Sequence, residues 1–132
     1  MYIKKEIGKI GEKLATNYLI QSNYQIIKRN FTCRQGEIDI IAKDKIKNEL
    51  AFIEVKTRTN FKYGLPSESV TENKQKHIYK TAEYYVYKNK IKNVAIRFDI
   101  IEIKIDMKNK IYSINHIRNA FMKYTKNKIY KK

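Results

Sequence analysis

Two stretches of alternating polarity constrain the fold of this chain more than any other feature. Residues 35–42 and 50–58 each alternate apolar with polar side chains, and a short polar connection joins them. This alternation predicts two neighbouring β-strands. Because side chains two residues apart on a strand point to the same side, Glu54 and Lys56 are expected to share one face of the sheet.

The predicted hairpin brings acidic residues of both strands together. Folding it symmetrically about the Ile46–Lys47 junction places Asp39 opposite Glu54, with the two Cβ atoms about 5 Å apart. Two carboxylates held this close repel each other unless another charge offsets them. A hard divalent cation such as Mg2+ does so, since it takes oxygen ligands and keeps waters for phosphoryl chemistry. The pattern therefore predicts a metal site.

A lysine on the same face adds to this interpretation. The ammonium of Lys56 can orient an attacking water or stabilise the charge that develops in a phosphoryl transition state. An isolated Glu-x-Lys pair on a strand is also typical of a solvated sheet face. The acid on the neighbouring strand, Asp39, is what favours the site over that simpler alternative.

The formal charge of +16 indicates a polyanionic partner. A chain this basic attracts phosphate backbones and repels other cations. Codon bias in an AT-rich genome would also enrich lysine, but it would favour glutamate as readily, and here 29 basic residues outnumber 13 acidic ones. Nucleic acid is therefore the predicted partner. A membrane is not, because no helix combines a broad apolar face with a basic one at the required length.

Length and cysteine content narrow the class of protein. At 132 residues the chain suits one domain with a single core. No stretch approaches the roughly 18 apolar residues of a membrane span, and residues 1–8 lack the apolar core of a signal peptide, so a cytoplasmic protein is expected. Cys33 is the only cysteine, which excludes an internal disulfide and argues against a thiolate metal site.

The acidic hairpin also resembles a known family. Residues 36–41 (Gly-Glu-Ile-Asp-Ile-Ile) and 52–58 (Phe-Ile-Glu-Val-Lys-Thr-Arg) look like the signature of the YraN-like family of small bacterial proteins. That family is similar to the PD-(D/E)xK nuclease superfamily, especially to the archaeal Holliday-junction resolvases. Ile38 stands in place of the proline that names the superfamily, at a position that is structural. The likeness covers nearly the whole chain and extends to Gly11-Glu12, Tyr18-Leu19, Arg29-Asn30, Gly64-Leu65-Pro66, Lys74, Arg97-Phe98-Asp99 and Asn119-Ala120-Phe121.

The resemblance implies a role for each residue of that signature. Asp39 and Glu54 would be metal ligands together with the carbonyl of Val55, and the cofactor would be Mg2+, with Mn2+ able to replace it. Lys56 would be the catalytic lysine, and Glu12 the auxiliary helix carboxylate of the resolvase branch. Because resolvases make paired cuts as symmetric dimers, the resemblance also allows a homodimer.

Two amphipathic helices are predicted on either side of the strands that form the site. Residues 6–21 carry an apolar stripe at helical spacing, with Glu12 at its margin, where a carboxylate can lean towards a site between helix and sheet. Periodicity alone fits a surface glutamate equally well. Residues 72–88 form the second helix, begun either by a capping box from Ser69 or by Thr71 alone.

Lys74 and Arg58 are the predicted contacts to nucleic acid. Lys74 lies in the first turn of the second helix, where a lysine opposes the helix dipole unless it meets an anion. We therefore expect it to face the metal site and bind a phosphate, with a snorkelling surface lysine as the alternative. Arg58 and a basic tail at residues 123–132 would also hold the phosphate backbone. In the polar loop at residues 59–66, two aromatic side chains either stack on bases or pack into the core.

The remaining strands are predicted at residues 24–31, 94–105 and 110–117. Within the second of these, Arg97 and Asp99 share a face and are expected to form a structural pair. His116 is also expected to be structural, since no second histidine stands at a metal-ligand spacing from it.

Helix, three strands, helix and two strands predict an α/β fold, a restriction-endonuclease-like core with a mixed five-stranded sheet and helices on both faces. The domain is expected to span residues 1–122. We predict a Mg2+-dependent endonuclease that hydrolyses phosphodiester bonds in nucleic acid, with DNA favoured and branched DNA such as Holliday junctions among its substrates. Base readout is not expected, because no helix presents a clear set of base-contacting side chains. The alternative is a non-catalytic, basic nucleic-acid-binding protein that retains the nuclease fold.

Overall fold

A mixed five-stranded sheet carries one helix on each face. The computed structural model describes residues 4–59 and 70–121. Neighbouring strands lie in the order β1-β2-β3-β4-β5; β3 and β4 run parallel, and the other neighbours run antiparallel. The elements in chain order are α1 (Lys4–Gln21), β1 (Tyr24–Cys33), β2 (Gly36–Asp44), β3 (Glu49–Arg58), α2 (Glu72–Lys88), β4 (Ala95–Asp106) and β5 (Ile111–Ile117). The predicted α/β fold is confirmed.

Two predicted features fall wholly or mostly beyond those residues. The basic tail at residues 123–132 lies outside the described part of the chain, as does the loop at residues 59–66 apart from Thr59. In the ranges that are described, no helix is both long and apolar enough to cross a membrane.

Each face of the sheet needs a helix because the central strands bury side chains on both sides. One core lies between the sheet and α1 and includes Leu19, Ile53 and Ile101. The other lies between the sheet and α2 and includes Ile78 and Phe98. A side chain's position along β3 or β4 therefore decides which helix it can meet.

Helix α1 packs with its backbone directly on β3. Its buried stripe is Gly11, Ala15 and Leu19, spaced one helical turn apart. A Cβ atom added at Gly11 would lie 2.8 Å from both Cβ and Cγ2 of Thr57, and closer still to Oγ1. Only glycine permits this approach. It holds the next residue, Glu12, beside the strand that carries Glu54 and Lys56.

Helix α2 begins at a capping threonine. The Thr71 side chain accepts a hydrogen bond of 3.2 Å from the backbone amide of Lys74. The second of the two predicted starts is therefore confirmed, and Ser69 lies outside the described residues. The cap orients the first turn of α2, so that Lys74 is the third helical residue.

The predicted hairpin register is confirmed. Pairing between β2 and β3 runs from Asp44–Glu49 to Ile40–Ile53, which is symmetric about the Ile46–Lys47 junction. The next pair in this register would join Asp39 and Glu54, and the two strands separate there.

The sheet also departs from regular geometry where Asn30 of β1 stands opposite Asp39. Asn30 has a φ of 53°, in the left-handed region that asparagine tolerates better than most residues. Ile38 packs in the core under α2, whereas Ile40, two residues on, packs in the core under α1. The strict alternation predicted for this strand therefore breaks at Asp39, because the chain turns over between Ile38 and Ile40.

A buried ion network stabilises the other end of the hairpin. The Arg97 guanidinium donates to Asp44 at 2.9 Å, to Glu49 at 2.8 Å and to Asp99 at 3.0 Å. His116 lies 2.8 Å from Asp99 through its Nε2 atom. The predicted Arg97–Asp99 pair is confirmed, and it belongs to a network of several charged groups that bridges four strands.

Candidate active site

The candidate site lies in the fork where β2 leaves β3. Beyond the Ile40–Ile53 pair, the backbone amide of Val55 donates a hydrogen bond of 2.8 Å to Oδ2 of Asp39. The Asp39 side chain thus takes the place of a ladder partner. Because the N–H and C=O of a strand residue point to the same side of the strand, the Val55 carbonyl also faces this fork.

Glu54 forms ion pairs with two lysines on the face of the sheet that α2 covers. Its Oε2 atom lies 2.6 Å from Nζ of Lys74 and 3.5 Å from Nζ of Lys56. The Glu54 side chain is 8% exposed. Lys74, predicted to face the site, thus lies beside Glu54, and the anion that it meets here is the Glu54 carboxylate. Its contact with a phosphate stays a prediction.

The ionisation of Asp39 is disturbed by its surroundings. Burial and the charge of Glu54 raise the pKa of Asp39 from 3.8 to about 7, and the charge of Glu12 adds a smaller rise. The Val55 amide and Lys74 oppose it. The anion of Asp39 is therefore disfavoured, and a cation placed beside it would favour the ionised form.

The two lysines shift in opposite directions. Burial lowers the pKa of Lys56, and the ammonium of Lys74 lowers it further, against the attraction of Glu54. Burial also disfavours the charged form of Lys74, but its hydrogen bond to Glu54 and its attraction to the charges of Glu54 and Asp39 together outweigh burial and raise its pKa. Lys74 is thus the firmly charged partner, and Lys56 is the amine that loses its proton more readily.

Glu12 approaches from α1 without joining the cluster by direct contact. Its carboxylate lies 3.9 Å from the Arg29 guanidinium, and it acts on Asp39 through its charge. Beside it runs a groove of about 510 Å3 between α1 and β1. The groove is lined by Lys9, Glu12, Lys13, Thr16, Asn17, Arg29 and Asn30.

Arg58 is held by a buried acid that the sequence analysis did not single out. Its Nε atom donates to Glu102 of β4 at 3.1 Å, and Glu102 is 2% exposed. Glu102 stands beside Lys56 in the parallel register. A signal for it existed, because Glu102 interrupts the otherwise apolar run at residues 100–103.

The donor set suits a hard divalent cation. In residues 4–59 and 70–121, no three His, Cys, Asp or Glu side chains cluster closely enough to enclose a metal. An ion in the fork would instead be held by Asp39, Glu54, a main-chain carbonyl and water. Mg2+ commonly binds in this way, through one or two carboxylates with several waters retained. Asp39, with its raised pKa, is the group that a cation would relieve.

Comparison with known proteins identifies the family to which the chain belongs. Residues 11–103 match the model of Uncharacterised protein family UPF0102. The chain belongs to this family. UPF0102 is the YraN-like family, so the predicted membership is confirmed.

Relatives from the UPF0102 family align along almost their whole length. A UPF0102 protein of Caldicellulosiruptor saccharolyticus is 47% identical over 118 residues, which cover 89% of this chain and 98% of that protein. One of Clostridium botulinum (strain Loch Maree / Type A3) is 51% identical over 121 residues, which cover 91% and 97%. Every residue of the candidate site, from Glu12 to Glu102, lies within the segment that matches the UPF0102 model.

Proposed function

We propose that this UPF0102 protein is a metal-dependent nuclease that hydrolyses phosphodiester bonds, with DNA favoured and branched DNA among its substrates. The convergence of Asp39, Glu54, Lys56 and Lys74 in one fork of the sheet carries the proposal. Phosphoryl transfer needs anionic oxygens that hold a cation next to positive groups that stabilise the phosphate. The fork offers both, with Glu54 buried and Lys74 partly open to solvent.

Asp39, Glu54 and the Val55 carbonyl would hold Mg2+, or Mn2+ in its place. When bound, the ion supplies a more acidic water and neutralises charge on the phosphate. The chain's part is to keep the two carboxylates together despite their repulsion. The Val55 amide does this for Asp39 by holding one of its oxygens at 2.8 Å.

The lysines and Glu12 would act on the substrate from different sides. Lys56, whose pKa is lowered, can donate to a phosphate oxygen or, as a neutral amine, accept a proton from the attacking water. Lys74 would leave its ion pair with Glu54 and bind a phosphate of the substrate. Glu12, across the fork on α1, would orient water through its carboxylate.

The charge of the whole chain supports nucleic acid as the substrate. A net charge of +16 gives long-range attraction to a phosphate backbone. The groove beside Glu12 is lined by Lys9, Lys13 and Arg29, which places positive charge next to the fork. Binding is therefore expected to weaken steeply as salt concentration rises.

A cleavage assay tests the proposal. The full chain is incubated with linear duplex, single-stranded and branched DNA and with RNA, in Mg2+, Mn2+ or EDTA. We expect cleavage that requires metal and is lost in both Asp39→Asn and Lys56→Ala. Asp106→Asn is the matched control, because Asp106 ends β4, away from the fork. An asparagine there can still accept from the backbone amides of Lys108 and Asn109, and loses only the bond from the Asn109 side chain.

Two results would count against a nuclease. Substrate binding with no metal-dependent cleavage of any of the four nucleic acids would favour the non-catalytic binding protein. Cleavage that persists in Asp39→Asn at the level of Asp106→Asn would mean that the activity does not reside in the fork.

A further inference from the structure

The C-terminal half of α2 displays tyrosines and lysines that the proposed nuclease site does not use. Two grooves meet there, of about 580 Å3 and 400 Å3, and both are lined by Tyr84 and Lys88. All the charged residues that line them are basic. We name this the tyrosine–lysine surface and define it by Arg34, Tyr84, Tyr87, Lys88, Lys90 and Lys92.

Tyr84 forms a fixed aromatic platform in this surface. Its ring stacks on Phe31 of β1, with centroids 6.4 Å apart and ring planes inclined by 25°. Nζ of Lys88 lies 5.8 Å from the centroid of the Tyr84 ring. A ring already held by such contacts loses little conformational freedom when a further flat group stacks against it.

Tyr87 lies about one helical turn further along α2. It is 81% exposed, more than any other large hydrophobic side chain in the described residues. It lines the same groove as Tyr84, with Lys90 and Lys92 beyond it. Exposed aromatic rings flanked by lysines are the combination that binds nucleic acid without regard to sequence, because every base has a face on which to stack.

We propose that the tyrosine–lysine surface binds unpaired nucleic acid, with bases stacked on Tyr84 and Tyr87 and phosphates held by the lysines. A duplex hides the faces of its bases, so it would gain only the phosphate contacts. An anionic membrane fits less well, since interfacial binding needs a broad free apolar face. The apolar stripe of α2 is already buried against the sheet.

The surface is connected to the fork through β1. Phe31, which supports Tyr84, pairs with Ile38, the residue before Asp39. The surface and the fork therefore share the β1–β2 pair, although Tyr87 lies roughly 20 Å along α2 from Lys74. The binding proposal takes the class of partner from the proposed function and goes beyond it, since it requires no hydrolysis.

Fluorescence anisotropy in EDTA tests the surface separately from cleavage. The probe is a labelled oligothymidylate of about 12 nucleotides, compared with a labelled duplex at the same salt concentration. Tyr87→Ala is expected to weaken single-strand binding about tenfold and to leave duplex binding unchanged, whereas Tyr87→Phe keeps the ring and the affinity. Tyr112→Ala is the matched control, because Tyr112 is also exposed but lies on β5.

A second comparison tests where the charge matters. Lys90→Gln with Lys92→Gln removes the same net charge as Lys45→Gln with Lys47→Gln, whose exposed side chains lie in the β2–β3 turn. The first pair is expected to cost more single-strand affinity than the second. The proposal would be overturned if both lysine pairs cost equal affinity, or if Tyr87→Ala and Tyr112→Ala had equal effects. It would also be overturned if Tyr87 were needed for retention on anionic phospholipid vesicles but not for oligothymidylate binding. A catalytically dead chain that still binds in this pattern would refute only the nuclease.

Discussion

Replacing Gly11 with alanine should push α1 away from β3. The added methyl group would meet Thr57 at 2.8 Å from two of its carbon atoms, and closer still to its hydroxyl oxygen. Neither partner can move freely, because Gly11 is buried in a helix and Thr57 belongs to a strand with neighbours in the sheet. The helix as a whole must shift, and Glu12 shifts with it.

The expected loss of stability follows from two opposing effects. Overpacking a tight contact costs about 1–3 kcal/mol, and three close contacts with one side chain place Gly11→Ala near the upper end. Alanine also has a higher helix propensity than glycine, worth about 1 kcal/mol in favour of the variant. The free energy of unfolding should therefore fall by about 2 kcal/mol, as measured by urea denaturation.

The same helix offers a matched control. A Cβ atom at Gly8 would meet nothing within 4 Å, so Gly8→Ala should raise the free energy of unfolding by up to about 1 kcal/mol through propensity alone. In the double variant Gly11→Ala/Thr57→Ala, two of the three clashing atoms are gone, and the combined loss should be smaller than the sum of the single losses. If Gly8→Ala and Gly11→Ala change stability in the same direction, close packing of α1 on β3 is not what Gly11 provides.

Three further variants probe the fork and the buried network. Since the pKa of Asp39 is raised from 3.8 to about 7, ionisation of Asp39 destabilises the metal-free fold as pH rises through 7, whereas below about pH 4 the acid is protonated and the fold keeps its full stability. Asp39→Asn should therefore raise the free energy of unfolding by up to about 4 kcal/mol at pH 8 and by little at pH 4. Urea denaturation that shows equal effects at both pH values would refute this. Asn30→Ala should cost about 1 kcal/mol because of the positive φ, and Asn30→Gly should not; equal unfolding midpoints for the two would contradict the strain argument. Arg97→Met leaves Asp44 and Asp99 buried without their cation and should cost about 3–5 kcal/mol at pH 7. Thermal unfolding that is unchanged at pH 7 would exclude a stabilising role for the network.

The hairpin could be predicted from the sequence because its signals are local. Alternation of polar and apolar residues identifies each strand, and the short connection leaves one symmetric register. That register holds from Asp44–Glu49 to Ile40–Ile53. The Arg97–Asp99 pair could be predicted in the same way, because side chains two residues apart on one strand lie on the same face of the sheet.

The rest of the site depends on groups that are distant in sequence. Nothing near Val55 indicates that its amide bonds to Asp39, because that contact requires the two strands to part at this point. Glu102 stands beside Lys56 only because β4 runs parallel to β3 after the α2 crossover. Asn30 carried a weak signal, as an asparagine within a strand, but its partner could be identified only once the β1–β2 register was known.

The kink at Asn30 explains how the two acids come to share a fork rather than a ladder. In a regular hairpin, Asp39 and Glu54 would face each other across paired strands, and their neighbouring backbone groups would be used in hydrogen bonds. Turning the chain over at Asn30 and Asp39 lifts β2 away, so that the Asp39 carboxylate replaces the missing backbone acceptor of the Val55 amide. The Val55 carbonyl, on the same side of β3, then faces the fork beside the Asp39 carboxylate. One local change of backbone conformation thus brings the Asp39 carboxylate and the Val55 carbonyl to the fork together. Under the proposed function, a substitution that straightens β1 at Asn30 should therefore weaken binding of the proposed cation even though Asn30 need not touch the ion.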